Sequence, residues 1–455
     1  MKKFYFKELL QENGWKKNVR ICTNKDGLIT EILDEYKGKD YDETIEIAIP
    51  GIPNAHSHAF QYGMAGMTEN HPLKSSSDFW TWRKTMYDLA LNIEPEDLQN
   101  IATMLYSEML RNGYTHVAEF HYLHHDKKGE KYENIGEMGE RILIAAKEVG
   151  MELTLVPIYY NQGNFNKDHL PEQRRFISEN TDDYIKLLEK SQEICKIYNG
   201  YSAIGVHSIR AVKDYIFKEI NYYNNDKLPF HLHISEQKKE IDDCLSHYKC
   251  RPVEWLYNNN EIGINHHLVH ATHLNKNEIN LISKNNSNVI LCPITEANLA
   301  DGFFNFNDYQ NKMGQWCIGS DSHIGLSPLE EIRWLDYGVR LQTNSRKTFK
   351  SSSSGNAGHI AMNSIFFNGM KAMGINRKSF FEKGYSLNFL EINKQQPLIK
   401  TCETDNMINT IFYSGDIRTI KNTYTRGVKR DNKNSGELNY LDNYLKSINK
   451  IKASI

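Results

Sequence analysis

His56-Ser57-His58 ends the apolar, extended stretch Gly51 to Ala55, and two histidines spaced i, i+2 on a strand point to the same side as a chelating pair. Alone the pair is a weak signal, because the chain holds 18 histidines. It gains weight because His233, His270 and Asp321 each lie at or near the end of another strand-like run. Three nitrogens, one carboxylate and a spare base are the parts of a catalytic metal centre.

Within the fifth such run, His231 and His233 share a face, and Glu236 decides between them. In His233-Ile234-Ser235-Glu236 the acid falls just where the chain leaves the strand, able to fold back over a metal as a proton shuttle. His231 is then a packed interior residue. Of His266, His267 and His270, only His270 closes its run, so the other two are expected at the rim or facing a helix. Two further runs end in Tyr122 and His207, and Asp321 belongs to a Ser320-Asp321-Ser322-His323 corner.

These residues need a scaffold that brings strand ends together. Eight apolar runs can be marked: Gly51 to His58, Tyr114 to Tyr122, Met151 to Tyr160, Tyr201 to His207, Pro229 to Ile234, His266 to Ala271, Asn288 to Pro293 and Trp316 to Asp321. Amphipathic stretches separate them, such as Ile135 to Val149, which Gly150 should stop. Ser327-Pro328-Leu329-Glu330 has a capping residue, a first-turn proline and an acid three residues after the cap, so a helix should begin there. Eight strand-helix units predict a (β/α)₈ barrel, whose chemistry gathers at the C-terminal ends of the strands.

The flanks read differently. Val19 to Ile49 and Gln396 to Thr425 carry short β-branched stretches broken by turns, so both chain ends are expected to form one small β domain. The expected division is 1–50, a barrel over 51–385, and 386–455. The last segment places Leu438, Leu441, Leu445 and Ile448 on one helical stripe, predicted to pack on the body or on another subunit. Ser351 to Ser354 reads as a flexible surface loop.

Lysine and arginine (55) nearly balance aspartate and glutamate (57), so bulk charge implies neither a nucleic-acid partner nor an anionic membrane. Recognition of a charged substrate must be local. Met1-Lys2-Lys3-Phe4 turns charged at once, without the apolar core of a signal peptide, and no run reaches the roughly 18 apolar residues of a membrane span. A cytoplasmic location is expected. Seven scattered cysteines with no Cys-x-x-Cys pair suit reduced, mostly buried thiols.

These motifs resemble those of the amidohydrolase superfamily, metal-dependent hydrolases built on a distorted (β/α)₈ barrel with a small β domain from the chain ends. Its pattern is His-x-His on the first strand, histidines on the fifth and sixth and an aspartate on the eighth. Two-metal members add a carboxylated lysine on the fourth strand, whereas here Gly205-Val206-His207-Ser208 holds none. That departure points to the single-metal deaminase branch, in which the fifth-strand histidine precedes a glutamate by three residues, as His233 and Glu236 do.

From about Pro50 to Leu341 the chain is similar, within that branch, to the formimidoylglutamate deiminase family. The resemblance is carried by Pro53 to Gln61, Phe79 to Arg83, Val206 to Val212, Arg251 to Leu256, Thr295 to Leu299 and Gly319 to His323. It implies hydrolysis of N-formimino-L-glutamate to N-formyl-L-glutamate and ammonia, in histidine degradation. It implies one divalent ion on His56, His58, His233 and Asp321, zinc being the best fit to three nitrogens and one oxygen. Asp321 and His270 would take a proton from metal-activated water, and Glu236 would pass one to the departing nitrogen. Such a dicarboxylate amidine suits Arg83 and Arg210, each able to grip a carboxylate with two parallel hydrogen bonds. By resemblance, Gln61, Tyr122 and His207 complete the pocket, and the assembly is a homodimer. The competing readings are a single-metal deaminase of a nucleobase, which would want an aromatic platform and neutral donors, and an inert barrel used as a binding module.

Overall fold

The protein is described by a computed structural model that covers residues 1–69, 78–225, 227–351, 354–430 and 435–454. Eight parallel strands, Ile52–Ser57, Tyr114–His121, Glu152–Tyr159, Ile204–Ser208, Phe230–Ile234, His266–His270, Asn288–Leu291 and Gln315–Ile318, pair in sequential order. Each of the eight apolar runs overlaps one of them, the fourth strand ending one residue after its run at Ser208 and the eighth starting one residue before its run at Gln315. The second and third are buried at every position, as strands are when side chains fill one face and helices cover the other.

A parallel bridge between Ser57 and Asp321 brings the eighth strand's end to the first. The seam is stitched by His58 N–H donating to Asp321 O (3.2 Å) and Asp321 N–H donating to His56 O (3.0 Å). Gly319, whose N–H donates to Leu291 O, makes the approach possible, since a Cβ there would lie 2.7 to 2.9 Å from His56 atoms. The helix Ala357–Ala372 covers the barrel floor, where His231 Nε2 donates to Ala372 O at 2.7 Å.

Outer helices follow their local signals. The helix expected from Ile135 begins instead at Glu137, because Asn134 Oδ1 accepts the Gly136 N–H and holds the preceding residues in a turn. It ends where Gly150 takes φ 83°, the left-handed conformation glycine adopts without a Cβ penalty. Ser327 caps Pro328–Thr343 by accepting from Glu330 N–H.

A seven-stranded sheet is built from both ends, in the order Val428–Arg430, Ile420–Thr425, Phe389–Ile392, Glu43–Pro50, Lys2–Gln11, Gly14–Thr23, Ile29–Leu33. Lys2–Gln11 was not expected as a strand. Its charged residues Lys3 and Lys7 alternate with buried Phe4 and Phe6, the signature of a sheet with one wet face. Nor is Gln396 to Thr425 wholly β: Pro397–Thr401 and Met407–Ser414 are helices, the latter burying Met407, Ile408, Ile411 and Phe412 at helical spacing. In the terminal helix Ser435–Lys452, Ile448 and Ile451 are buried, but Leu441 and Leu445 are exposed, so the expected leucine stripe does not all pack on the body. The buried edge runs instead past Tyr444, 5.7 Å from the Tyr62 ring, and Ser447, which accepts from Asn100 Nδ2. The Leu438 side chain, Ser352 and Ser353 lie outside the described residues. No described helix is long and apolar enough to cross a membrane.

Barrel and sheet are clamped by buried Glu152. Its carboxylate meets His116 Nε2 (2.7 Å) and, from the sheet side, Arg426 (2.8 Å), Ser386 Oγ (2.6 Å) and Asn388 Nδ2 (2.5 Å). Burial alone would push this carboxyl up, but His116, Arg426 and Ser386 outweigh it and bring it down to about 2. A depressed carboxyl stabilises the fold above its ordinary value of 4.5, and the contribution is lost as pH falls towards about 2. Glu152→Gln should lower the unfolding free energy measured by urea titration at pH 7 by about 3–5 kcal/mol, as expected for a broken buried pair, and its gap from wild type should narrow below pH 4.5. A gap independent of pH would show that charge at Glu152 contributes nothing.

Candidate metal centre and active-site cleft

Because the first and eighth strands meet at His56, His58 and Asp321, closing the barrel also gathers their side chains. His233, at the end of the fifth strand, completes the group: all four offer one donor atom within 4.8 Å of the others. His56 Nε2 lies 3.1 Å from both His58 Nε2 and His233 Nε2, and Asp321 Oδ1 lies 3.4 and 3.2 Å from His56 and His58. Tautomers follow from the outer nitrogens. His58 Nδ1–H donates to Phe120 O and His233 Nδ1–H to His207 O, both at 2.9 Å, so each Nε2 lone pair faces inward. Burial, with neighbouring histidines adding to it, lowers His56 to about 3 and His233 well below the usual range, which keeps the neutral form that ligates metal. Lone pairs so close repel unless a cation lies among them. The spacings match the edges of a tetrahedron with zinc-type bonds of about 2.0–2.1 Å, roughly 3.3 Å. The residues therefore fit one divalent ion.

Beside this group, His270 Nε2 is 3.7 Å from Asp321 Oδ2 and 3.9 Å from Glu236 Oε1, while its Nδ1 faces Glu296 Oε1 at 3.3 Å. Burial opposes charge on His270, but Glu236, Glu296 and Asp321 together raise it to about 10. Positive charge in the ligand group would pull it back down. Strand ends turn sharply here: Ser235, His270, Ala271, Asp321 and His323 all take left-handed φ between 47° and 67°. Non-glycine residues hold such conformations only where surroundings enforce them.

Above these residues opens a cleft of about 600 Å³. Gln61, Arg83, Tyr122, His207 and Arg210 all line it, with His58, His233, Glu236, His270 and Asp321; His56 lies buried beneath. Gln61, on the turn after the first strand, donates from Nε2 to Tyr122 OH at 2.9 Å. Arg83 comes from the helix Asp78–Asn92, and Arg210 from the short turn Ile209–Ala211 after the fourth strand. Burial and the nearby charges of Arg210 and Arg83 keep His207 neutral. His231 and His267 lie one layer lower with ring centroids 5.0 Å apart, so His267 faces the barrel floor rather than the rim; His266 stacks on Phe230 and reaches the Asn221 side chain. Of the Phe79 to Arg83 block, the side chains before Trp82 lie outside the described residues.

Sequence reasoning missed the supports. Glu119 accepts from Ser57 Oγ (2.6 Å), Ala59 N–H (2.6 Å) and Tyr106 OH (3.0 Å), strapping the chain on both sides of His58. Glu240 accepts from the backbone N–H groups of Ser235 (3.0 Å) and Glu236 (3.1 Å), holding the turn that aims Glu236. Burial pushes both carboxyls up to about 7. Glu240 lies four residues beyond Glu236, a spacing that could have flagged it; nothing local marks Glu119 as facing Ser57.

A closed (β/α)₈ barrel with three histidines and an aspartate at its C-terminal mouth defines a metal-dependent hydrolase, and residues 47–429 match the amidohydrolase family, whose members use a divalent metal. The chain belongs to that family. A formimidoylglutamate deiminase from Pseudomonas aeruginosa is 36% identical to it over 440 residues, 96% of each chain. The crystal structure of an amidohydrolase from Brucella melitensis superposes with a TM-score of 0.93 at 33% identity, covering 99% of this chain and 100% of that one. An adenosine deaminase from Xanthomonas campestris with bound zinc shares the fold, at TM-score 0.81 and 17% identity, over 99% of this chain and 98% of that one.

Glu119→Ala would leave the Ala59 and Tyr106 donors unpaired in a dry site, each costing on the order of 1–3 kcal/mol, and Ser57 with His323 alone. The expected result is a lower urea midpoint together with less metal retained after gel filtration. Unchanged metal content would mean the strap does not hold His58 in place.

Proposed function

We propose that the chain hydrolyses N-formimino-L-glutamate to N-formyl-L-glutamate and ammonia, as a single-metal enzyme of histidine degradation. The observation that carries this reading is the pairing in one cleft of two guanidiniums, Arg83 and Arg210, with a single ligand group beside Glu236 and His270. A substrate with two carboxylates and a cationic amidine fits that division of charge. The deiminase relative at 36% identity supports the same substrate.

His56, His58, His233 and Asp321 would hold the ion, with zinc favoured by the donor set. When bound, it supplies a Lewis acid that makes water nucleophilic at neutral pH. Asp321 and His270, whose side chains lie 3.7 Å apart at the edge of that group, would take a proton from the water that adds to the formimino carbon. Glu236, 3.9 Å from His270 Nε2, would receive that proton and pass it to the nitrogen, so the C–N bond breaks with ammonia leaving rather than an amide anion. His270, held between Glu236 and Asp321, steadies charge on the tetrahedral centre. Arg83 and Arg210, with Gln61, Tyr122 and His207, grip the carboxylates and set the carbon against the nucleophile.

A cytoplasmic homodimer is part of this proposal. Seven free cysteines suit a reducing compartment, and exposed Leu441 and Leu445 supply apolar surface for a second copy.

The deciding assay is ammonia release from N-formimino-L-glutamate, run beside guanine, cytosine, adenosine and N-carbamoyl-glutamate. Release from a nucleobase and not from the formimino compound would overturn the proposal. Glu236→Ala should keep its metal while kcat falls by about 10²–10⁴. Near-wild-type turnover would remove Glu236 from the chemistry. Arg210→Ala should raise KM far more than it lowers kcat, and chelation should abolish activity until zinc is restored.

A further inference from the structure

Behind the cleft wall, on the short turn Pro171–Phe176, lies Gln173, with no exposed surface. Its Oε1 accepts from Leu170 N–H at 2.7 Å. A backbone donor there fixes which end of the amide is oxygen. Nε2 must then donate, and it does so twice, to Tyr87 OH (2.9 Å) and Tyr160 OH (2.7 Å). Tyr87 OH also accepts from Arg83 Nε at 2.8 Å. Both phenol oxygens are thus occupied as acceptors, and each keeps its own proton to give away. Burial, helped by Tyr160, pushes Tyr87 up to about 12, so its proton stays on.

Tyr87 and Tyr160 both line the cleft, on the side of Arg83 and Arg210. The turn that carries Gln173 is itself pinned, since buried Arg175 donates to His125 O (2.8 Å) and Ile93 O (2.7 Å). One amide therefore fixes the spacing and donor direction of two phenols on separate elements, the helix bearing Arg83 and the segment after the third strand.

We propose that Gln173 is a positioning residue for substrate specificity: it turns Tyr87 and Tyr160 into a pair of fixed O–H donors for the carboxylate of the substrate furthest from the reacting carbon. The pair adds two charge-assisted hydrogen bonds to those of the arginines. It also selects against molecules that lack the second carboxylate, because donors fixed in a dry pocket are costly to leave unpaired.

This rests on the formimino-glutamate reading, and the experiment separates the two. Gln173→Glu keeps the shape but replaces donors with acceptors, so both phenols turn their protons inward to it. For N-formimino-L-glutamate, KM should rise about tenfold or more with kcat little changed. For N-formiminoglycine, which lacks the distal carboxylate, kcat/KM should hold, so the preference for the dicarboxylate collapses. A merely structural role would lower both substrates alike, and that outcome overturns the proposal. The Tyr87→Phe/Tyr160→Phe double variant should reproduce the loss, and Gln173→Met should add nothing further in that background; an added loss would mean Gln173 acts by another route. If wild type releases no ammonia from N-formimino-L-glutamate, the functional reading fails on its own. Calorimetry with glutarate then tests the donor pair directly: weaker binding to Gln173→Glu than to wild type supports it, and equal binding refutes it.

Discussion

The site depends on how the barrel closes. Two backbone hydrogen bonds between His56, His58 and Asp321 bring the eighth strand's end to the first, and the side chains of those same three residues point at one place. Main-chain pairing of this kind has little freedom of register. The geometry of this group is therefore set by the seam, with Gly319 removing the one side chain that would hold it open. The fifth strand brings His233 and, through the turn tied down by Glu240, Glu236. Loop conformation decides little of this.

Charge in the cleft is divided between a carboxylate cluster and two guanidiniums. Glu236, Asp321 and Glu296 stand around His270, with buried Asp301 and Glu331 within electrostatic reach, both held towards the protonated form, first by burial and then by these neighbours. Arg83 and Arg210 line the same cleft, Arg210 within electrostatic reach of Glu236 and Glu240. Clustered buried carboxylates are tolerable only beside cations, and His270 with the ligand group is placed to meet that need. The near-neutral total of the chain hides this division completely.

What could be read from sequence follows from how far apart cooperating residues lie. The barrel strands were legible because each is a short apolar run bounded by turns, and the gathering of His56, His58, His233 and Asp321 because they close those runs. Within Met407 to Phe412 the same apolar density fits a helix as well as a strand, and tertiary packing chose the helix. Lys2 to Gln11 hid its alternation under lysines that face water. Supports such as Glu119 and Gln173 were invisible for a different reason. Ser57 and Glu119 meet across two strands, and Gln173 reaches Tyr87 from a distant turn, so no spacing rule joins them.

The seven-stranded sheet has an effect on the order of events during synthesis. Glu43–Pro50, near the start of the chain, pairs with Phe389–Ile392, which leaves the ribosome only after every barrel strand. The first four strands must wait with an unpaired edge while the barrel forms beside them, and exposed edges invite wrong partners. Glu152 lies in the third barrel strand, yet its Arg426, Ser386 and Asn388 partners arrive with the last segment. The final strands thus act as a lock that only a complete chain can turn, which makes truncated products prone to aggregate rather than to persist as partly active barrels.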